Sequence, residues 1–450
     1  MWEQLGFLKS PFFWEELSVS EQGFALFVGR HEEGQKFLIN LAEAEGCTVI
    51  VEGDRGIGKT SFINYNQYVL YKHITDAYSE LRFRRPHLLP SLRKIQLREG
   101  EPIESIYLKI LSACIFSIQS VCRERDRDFP PQLRDIRDYV TQVVSHTVDG
   151  GLGVSILGSG VSFSRGKANS LSDTTQFREL TFLEFLDDVS VVVRKELGFD
   201  GTFISINNLD IVSLEYLSQS LDYLRDTLFC RPYYWWALIS PIGLHTYLKQ
   251  NVSRLAGVIS GKAIQLEPLS EEDITELLEA RIRLLSVSSS PPLSPISTRI
   301  MLFLYQKSNG DIRFAFQVAN EVVKRIFYDY PSVTQIDEEL AAREIARITL
   351  DEIRNSSFTT VESKIIREII ANPALSEISQ DSGSEFRILS PTDFQESLES
   401  LVQKKWLTRK VSSEQKVRYI PRGYSSLAQS FRVSDYPAAL SGITEDRDTP

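Results

Sequence analysis

The chain has 450 residues, a formal net charge of −10 at pH 7, a hydrophobic fraction of 42% and a charged fraction of 24%. These values suit a globular protein long enough for about two to four domains. The acidic balance argues against a surface coated with basic nucleic-acid-binding side chains, while leaving room for one local basic face.

Residues 1–12 lack the basic flank and apolar core of a signal sequence, and no stretch is expected to reach the length of a membrane span. The expectation is a cytoplasmic protein without membrane association. Cys47, Cys114, Cys122 and Cys230 are widely spaced and match no zinc or disulfide pattern, which suits inert thiols in a reducing compartment.

Val28, Gly29 and Arg30 lead into a helical pattern over 32–45, with Phe37, Leu38 and Leu41 on its apolar side. Thr48 to Val51 then form a β-branched apolar run, long enough for a buried strand. Directly after it, Gly53-Asp54-Arg55-Gly56-Ile57-Gly58-Lys59-Thr60 satisfies the eight-position phosphate-loop (Walker A) pattern. Its glycines let the backbone turn its N–H groups towards phosphate oxygens. A helix starting near Gly58 points its positive end at the same phosphates. Lys59 reaches the β- and γ-phosphates of ATP, and the Thr60 hydroxyl is placed to ligate Mg²⁺. Ser61, in the same first turn, completes the residues expected at the nucleotide.

Residues 71–91 read as an extended excursion and 94–97 as a short strand, followed by a largely buried helix over about 103–123. A short helix is expected near 133–143. Residues 150–163 form a glycine-rich segment, read as a surface flap or as a hairpin turning at Gly158-Ser159-Gly160. Helix 174–197, strand 201–206 closed by Asn207-Asn208-Leu209-Asp210, helix 212–228 and strand 236–239 ending at Ser240 complete an alternating pattern. Strands alternating with helices around a phosphate loop predict an α/β domain with a mainly parallel sheet. From 264 the pattern becomes helical: 270–285 with a cap at Ser270, then 295–311 and 312–328, divided at Gly310. Further on come helical patterns at 360–370 and from Pro391, and then a hairpin. The expected domains are an N-terminal segment and core over 1–263 with an insertion around 65–168, a helical lid over 264–335, a third domain over 345–432 and a flexible tail over 433–450.

In this order the segments resemble the AAA+ ATPases, especially the replication-initiator and origin-recognition branch and related bacterial regulatory ATPases. The resemblance covers about 24–330, and more weakly 360–422. It implies a P-loop NTPase core, a helical lid and a C-terminal winged helix. Gly29 and Arg30 fall in the family's N-terminal motif, which closes over the base. Asn207 and Asn208 occupy its second nucleotide motif, with Asn207 at the metal position. Ser240 corresponds to the polar sensor beside the γ-phosphate. Arg254 matches the arginine offered to a neighbouring subunit's nucleotide, and Arg313, in Gly310-Asp311-Ile312-Arg313, matches the second sensor. Assembly into a homo-oligomer follows from the same resemblance.

Two departures stand out. The family has an Asp-Glu pair where this chain has Asn207-Asn208. An amide accepts a hydrogen bond but cannot take the proton of an attacking water, so ATP binding is supported more strongly than rapid hydrolysis. The stretch between Thr60 and Asn207 is also longer than in a minimal domain, leaving space for a partner-binding or regulatory element.

The hairpin over 404–422 contains Lys404, Lys405, Arg409, Lys410, Lys416, Arg418 and Arg422 against one acid, Glu414. This suits contacts to the backbone of double-stranded DNA through Lys405, Arg409, Lys410, Lys416 and Arg418. The helix before it carries Asp393, Glu396 and Glu399, poor partners for a phosphate-lined groove. Two readings stay open. One is an ATP-dependent switch engaging DNA or a DNA-bound complex. The other is a signalling or scaffold ATPase in a bacterial defence or regulatory complex, whose winged helix contacts protein only. An efficient motor is disfavoured by the Asn pair.

Overall fold

The computed structural model describes residues 1–149, 179–288, 293–333, 335–388, 390–411 and 416–431. The expected flap over 150–163, the first residues of helix 174–197, the turn at Ser412-Ser413 and the tail lie outside them. The chain divides into two compact units, Glu16–Glu267, and Met1–Glu15 with Pro268–Pro450.

The first unit begins with α1 (Glu21–Ala25) and α2 (His31–Ala42), then β1 (Cys47–Gly53) and α3 (Lys59–Lys72). Strands β2 (Leu88–Pro90) and β3 (Ile95–Gln96) precede α4 (Ile103–Glu124), α5 (Arg134–Asp149) and α6 (Glu179–Lys195). β4 (Gly201–Asn207), α7 (Leu214–Leu224), β5 (Tyr234–Ser240), α8 (Leu244–Asn251), α9 (Ser253–Ala256) and β6 (Ile264–Leu266) complete it. The sheet runs β2-β4-β5-β1-β6, with β3 also on β4, and all pairings are parallel. This is an α/β fold with a parallel sheet core flanked by helices, consistent with a P-loop NTPase, AAA+-like architecture.

Every residue of β1, β4 and β5 is buried, as expected for central parallel strands covered on both faces. Val49, Val51, Phe203 and Ala237 pack in one cluster with α2 and α3 residues such as Phe37 and Phe62. Ile50, Ile204, Ile206 and Leu238 pack in another, with Ile110 and Cys114 of α4 and Val189 of α6. Contrary to the sequence expectation, α4 is long and apolar enough to cross a membrane, with a mean hydropathy of 1.5. Its Ile106, Ile110, Leu111 and Ile118 are fully buried in the protein core, and that burial accounts for its composition. The helix expected over 212–228 ends at Leu224 and continues as a wider π turn, Arg225–Phe229.

The second unit holds α10 (Glu271–Leu285), α11 (Thr298–Lys307), α12 (Ile312–Asp329), α13 (Glu338–Asn355) and α14 (Thr360–Ala371). β7 (Ile378–Ser379), α15 (Pro391–Gln403), β8 (Leu407–Val411), β9 (Val417–Pro421) and α16 (Tyr424–Ser430) follow. The cap at Ser270 is a full capping box with Asp273, an arrangement worth about 1 kcal/mol. Helices α10 to α12 occupy the stretch expected for a helical lid.

The N-terminal arm is part of this second unit. Leu8 N–H donates to Leu285 O at 2.8 Å, and Val287 N–H donates to Gly6 O at 2.9 Å. The buried Arg281 guanidinium donates to Pro11 O at 3.2 Å and Phe13 O at 2.6 Å, between the rings of Phe13 and Phe316. Two backbone carbonyls and two aromatic faces thus offset its desolvation.

At the C-terminal end, Ile365, Ile369, Phe394, Leu398 and Tyr419 form one core. The expected helix and hairpin are present, and β7 adds a third strand in the antiparallel order β7-β9-β8. α13, β7 and α16 have no counterpart in the sequence expectation. β7 is two residues long, too short to leave a periodic signal.

Candidate functional site

The phosphate-loop sequence lies between β1 and α3, at the carboxyl edge of the sheet. Gly58 caps α3 with φ 99°, a conformation that strains any residue with a Cβ, and a Cβ there would face open space. Gly53 is tightly enclosed instead. A Cβ on it would come within 3.0 Å of Ile57 Cγ2 and 3.1 Å of Leu266 O. The first bond within α3 runs from Phe62 N–H to Gly58 O at 2.9 Å. The N–H groups of Lys59, Thr60 and Ser61 precede it at the positive end of a 14-residue helix.

Lys59 Nζ donates to Gly53 O at 2.7 Å and to Asp54 O at 2.9 Å, so the ammonium is drawn back over its own loop. Ile57 is buried, Asp54, Gly56 and Thr60 are half-buried, and Arg55 is exposed. The Ser61 hydroxyl accepts from Leu17 N–H at 3.1 Å and thereby ties α3 to the segment ahead of α1. Asn64 Nδ2 donates to Leu17 O at 2.7 Å and doubles that tie.

Gly29 and Arg30 adjoin the loop. Arg30, in left-handed backbone at φ 64°, caps α2 and is buried. Its guanidinium donates to Ile57 O at 3.2 Å and to Glu33 Oε1 at 3.1 Å.

Asn207 ends β4 and Ser240 ends β5, the strand beside β1. Both are buried, at 3% and 1% exposure, and among the described residues Asn207 Oδ1 and Ser240 Oγ each have no hydrogen-bond partner. Leaving a polar atom unsatisfied in this way costs about 1–3 kcal/mol. Two such atoms at the ends of neighbouring strands, at the edge that carries the loop, fit a site completed by a polar ligand and its water or metal. Asn208 is exposed, at φ 59°. Among the described residues no group of three or more His, Cys, Asp or Glu side chains forms a metal cluster.

Glu52 was not singled out from the sequence. It is buried one residue before the loop, pairs in register with Ser240, and accepts from Gly243 N–H at 3.1 Å and His245 N–H at 2.6 Å. It therefore fixes the turn after β5 at the start of α8. The available signal was a lone acid closing an otherwise apolar run.

The other candidate residues sit on other elements. Arg254, in α9, is 62% exposed and pairs with Asp226 at 3.0 Å. Arg313, in the first turn of α12, is exposed and belongs to the second unit.

Lys405, Arg409, Lys410, Lys416 and Arg418 are all exposed on the β8–β9 hairpin and the turn before it. Lys410 and Arg418 stand opposite each other across the strands, a like-charge juxtaposition. Carboxylates already engage two of these five cations and the neighbouring Arg422 and Lys404. Arg409 pairs with Glu399 at 3.3 Å, Arg418 with Glu377, and Arg422 with Asp311. Lys404 lies 2.7 Å from Glu362. Burial would raise the Glu362 carboxyl, but hydrogen bonds from Lys404 and the Thr359 backbone hold it below its ordinary range.

No protein-family model matches the chain, and no curated protein matches it. Among solved structures, the ORC2 protein of Aeropyrum pernix in ADPNP–ADP complexes is 12% identical, with a TM-score of 0.45, covering 97% of this chain and 96% of that one. The Walker-type ATPase of Pyrococcus abyssi is 13% identical, with a TM-score of 0.46, covering 94% and 100%. The Aeropyrum pernix ORC1 protein in complex with DNA is 13% identical, with a TM-score of 0.43, covering 94% and 96%. At these identities and scores they do not establish a family.

Proposed function

We propose that the chain is an ATP-binding, AAA+-like molecular switch with weak intrinsic hydrolysis. The observation that carries this reading is the phosphate loop, with Lys59 folded into it and the orphaned Asn207 and Ser240 polar atoms ending β4 and β5. Lys59 exchanges its two carbonyl partners for β- and γ-phosphate oxygens, and the backbone amides at the start of α3 cradle the same groups. Thr60 and Asn207 are the residues to hold Mg²⁺, directly and through water. When bound, that ion neutralises charge on the β- and γ-phosphates. Gly29 and Arg30 frame the base side of the loop, and Ser240 orients water. Neither Asn207 nor Asn208 can act as general base, so the site holds ATP longer than it cleaves it. Arg313 senses the γ-phosphate from the helical unit, and Arg254 completes the nucleotide site of a second copy in a homo-oligomer.

The C-terminal module, read as a winged helix, is the output. It engages double-stranded DNA or a DNA-bound complex in the first reading. A specific observation favours the second, in which it docks a regulatory or defence protein. Glu399, Glu377, Asp311 and Glu362 already neutralise Arg409, Arg418, Arg422 and Lys404.

The test is calorimetric titration of the full chain with ATP and Mg²⁺. Lys59→Ala is expected to weaken binding by about 100-fold or more, since charge-assisted bonds to phosphate are lost. Turnover by the isolated protein above about 1 per second, in the ordinary enzymatic range, would contradict the weak-hydrolysis reading.

A further inference from the structure

The turn that carries Arg313 is gripped by the exit of the C-terminal hairpin. Asn309 and Gly310 both adopt left-handed backbone, at φ 55° and 82°, so the chain reverses sharply before α12. Asp311 then caps the helix, accepting from Phe314 N–H on Oδ1 at 3.0 Å. Its other oxygen pairs with Arg422, just past β9, and the two side chains are only 14% and 13% exposed. Asn309 Nδ2 donates to Pro421 O at 3.2 Å. The Phe314 ring stands edge-on to Tyr424 at 4.9 Å. It also closes against Gly423, where a Cβ would lie 3.2 Å from the ring. Residues 309–314 and 421–424 are thus interlocked by a charge pair, a hydrogen bond and an aromatic contact. A pair this poorly solvated is screened far less than a surface ion pair.

We propose that Asp311 and Arg422 are a positioning pair for Arg313. The C-terminal module, through the exit of β9, sets the pose in which the first turn of α12 presents that arginine. Recognition of the γ-phosphate and engagement of the module are then linked, and by thermodynamic reciprocity each biases the other. Neither member of the pair touches nucleotide; both act through Arg313. The proposal rests on the reading of Arg313 as the γ-phosphate sensor.

The experiment measures the affinities of the full chain for ADP and for a non-hydrolysable ATP analogue, with Mg²⁺. Asp311→Asn keeps a capping oxygen while removing the charge, so α12 retains its start. Arg422→Gln removes the opposite charge, and Gly423→Ala strains the positive-φ backbone there and crowds Phe314 while leaving both charges in place. Arg313→Ala is the reference and should erase the preference for the ATP analogue over ADP. Asp311→Asn and Arg422→Gln should each reduce that preference by about fivefold, with ADP affinity unchanged. Their double variant should be no worse than either single one. If Arg313→Ala erases the preference while the two charge variants and Gly423→Ala keep it, the positioning role is overturned and the sensor reading survives. If Arg313→Ala keeps the preference, the sensor reading fails and takes this proposal with it. A lowered melting temperature with an unchanged preference would leave the pair purely structural.

Discussion

The guanidinium of Arg30 donates to the carbonyl oxygen of Ile57, 27 residues further along the chain, at 3.2 Å. The turn ahead of α2 therefore braces the middle of the phosphate loop. Since Glu33 holds the same guanidinium, the brace is fixed from both sides. Arg30→Ala should weaken ATP binding by about tenfold, the scale of one charged hydrogen bond, and less than Lys59→Ala does. Titration of both variants under one salt condition checks the order. An Arg30→Ala protein with unchanged affinity would make the brace irrelevant to the loop.

Asn207 and Asn208 set the second expectation. Asn207→Asp with Asn208→Glu restores a metal-supporting carboxylate and a proton acceptor. Hydrolysis should rise by about 100-fold, the lower range for general-base catalysis, with ATP affinity little changed. Steady-state phosphate release measures it. No gain would place the deficit elsewhere, in the exposed, left-handed backbone of Asn208 or in a missing partner group.

Arg254 is exposed, and among the described residues its guanidinium is held by the surface pair with Asp226, worth about 0–1 kcal/mol. It can leave that partner at little cost and reach a second copy. ATP should therefore shift the sedimentation of the wild-type chain towards a larger species, and Arg254→Ala should abolish the shift without reducing ATP affinity. A wild-type chain that stays monomeric with ATP at every concentration tested would end the assembly reading.

Duplex DNA tests the output. Each phosphate neutralised contributes about 0.9 to the salt slope. With Arg409, Arg418, Arg422 and Lys404 engaged by carboxylates, a slope no steeper than about −3 is expected, with little sequence discrimination. Changing Arg409, Lys410, Lys416 and Arg418 to Glu should remove that binding and leave ATP binding intact. A slope near −6 would mean that the carboxylates release their partners on DNA. Absence of binding at low salt, with and without ATP, would leave protein docking as the role of the module.

The cysteines give a pH-dependent check. Burial, aided by nearby Glu43, pushes the Cys47 thiol from 9.0 up to about 12, and burial does the same to Cys114. Groups raised in this way contribute stability that is full below about pH 9 and declines as pH climbs towards 12. The melting temperature should fall across that window. At pH 8 a thiol reagent should modify the exposed Cys230 quickly, and all four cysteines only after denaturation. Rapid modification of Cys114 in the native protein would show that α4 opens.

The order of the α/β core was legible because each central strand is a short apolar run and each helix has a periodic face. Val49 to Val51 and Phe203 to Ile206 announce strands buried on both sides, and the loop pattern marks its own place on the sheet edge. Local chemistry also determined the start of α3 at Gly58 and the cap at Ser270, where a backbone angle or an adjacent side chain is enough. Tertiary structure alone decided the rest. Glu52 finds the amides at the start of α8, Arg30 finds Ile57, and Arg281 finds the N-terminal arm, each across long sequence separations that periodicity cannot read. The charge of the hairpin is the plainest case. In sequence, 404–422 is a basic run. In three dimensions its cations meet Glu362, Glu377, Glu399 and Asp311 from other elements, because an electrostatic field depends on distances through space and not on positions along the chain.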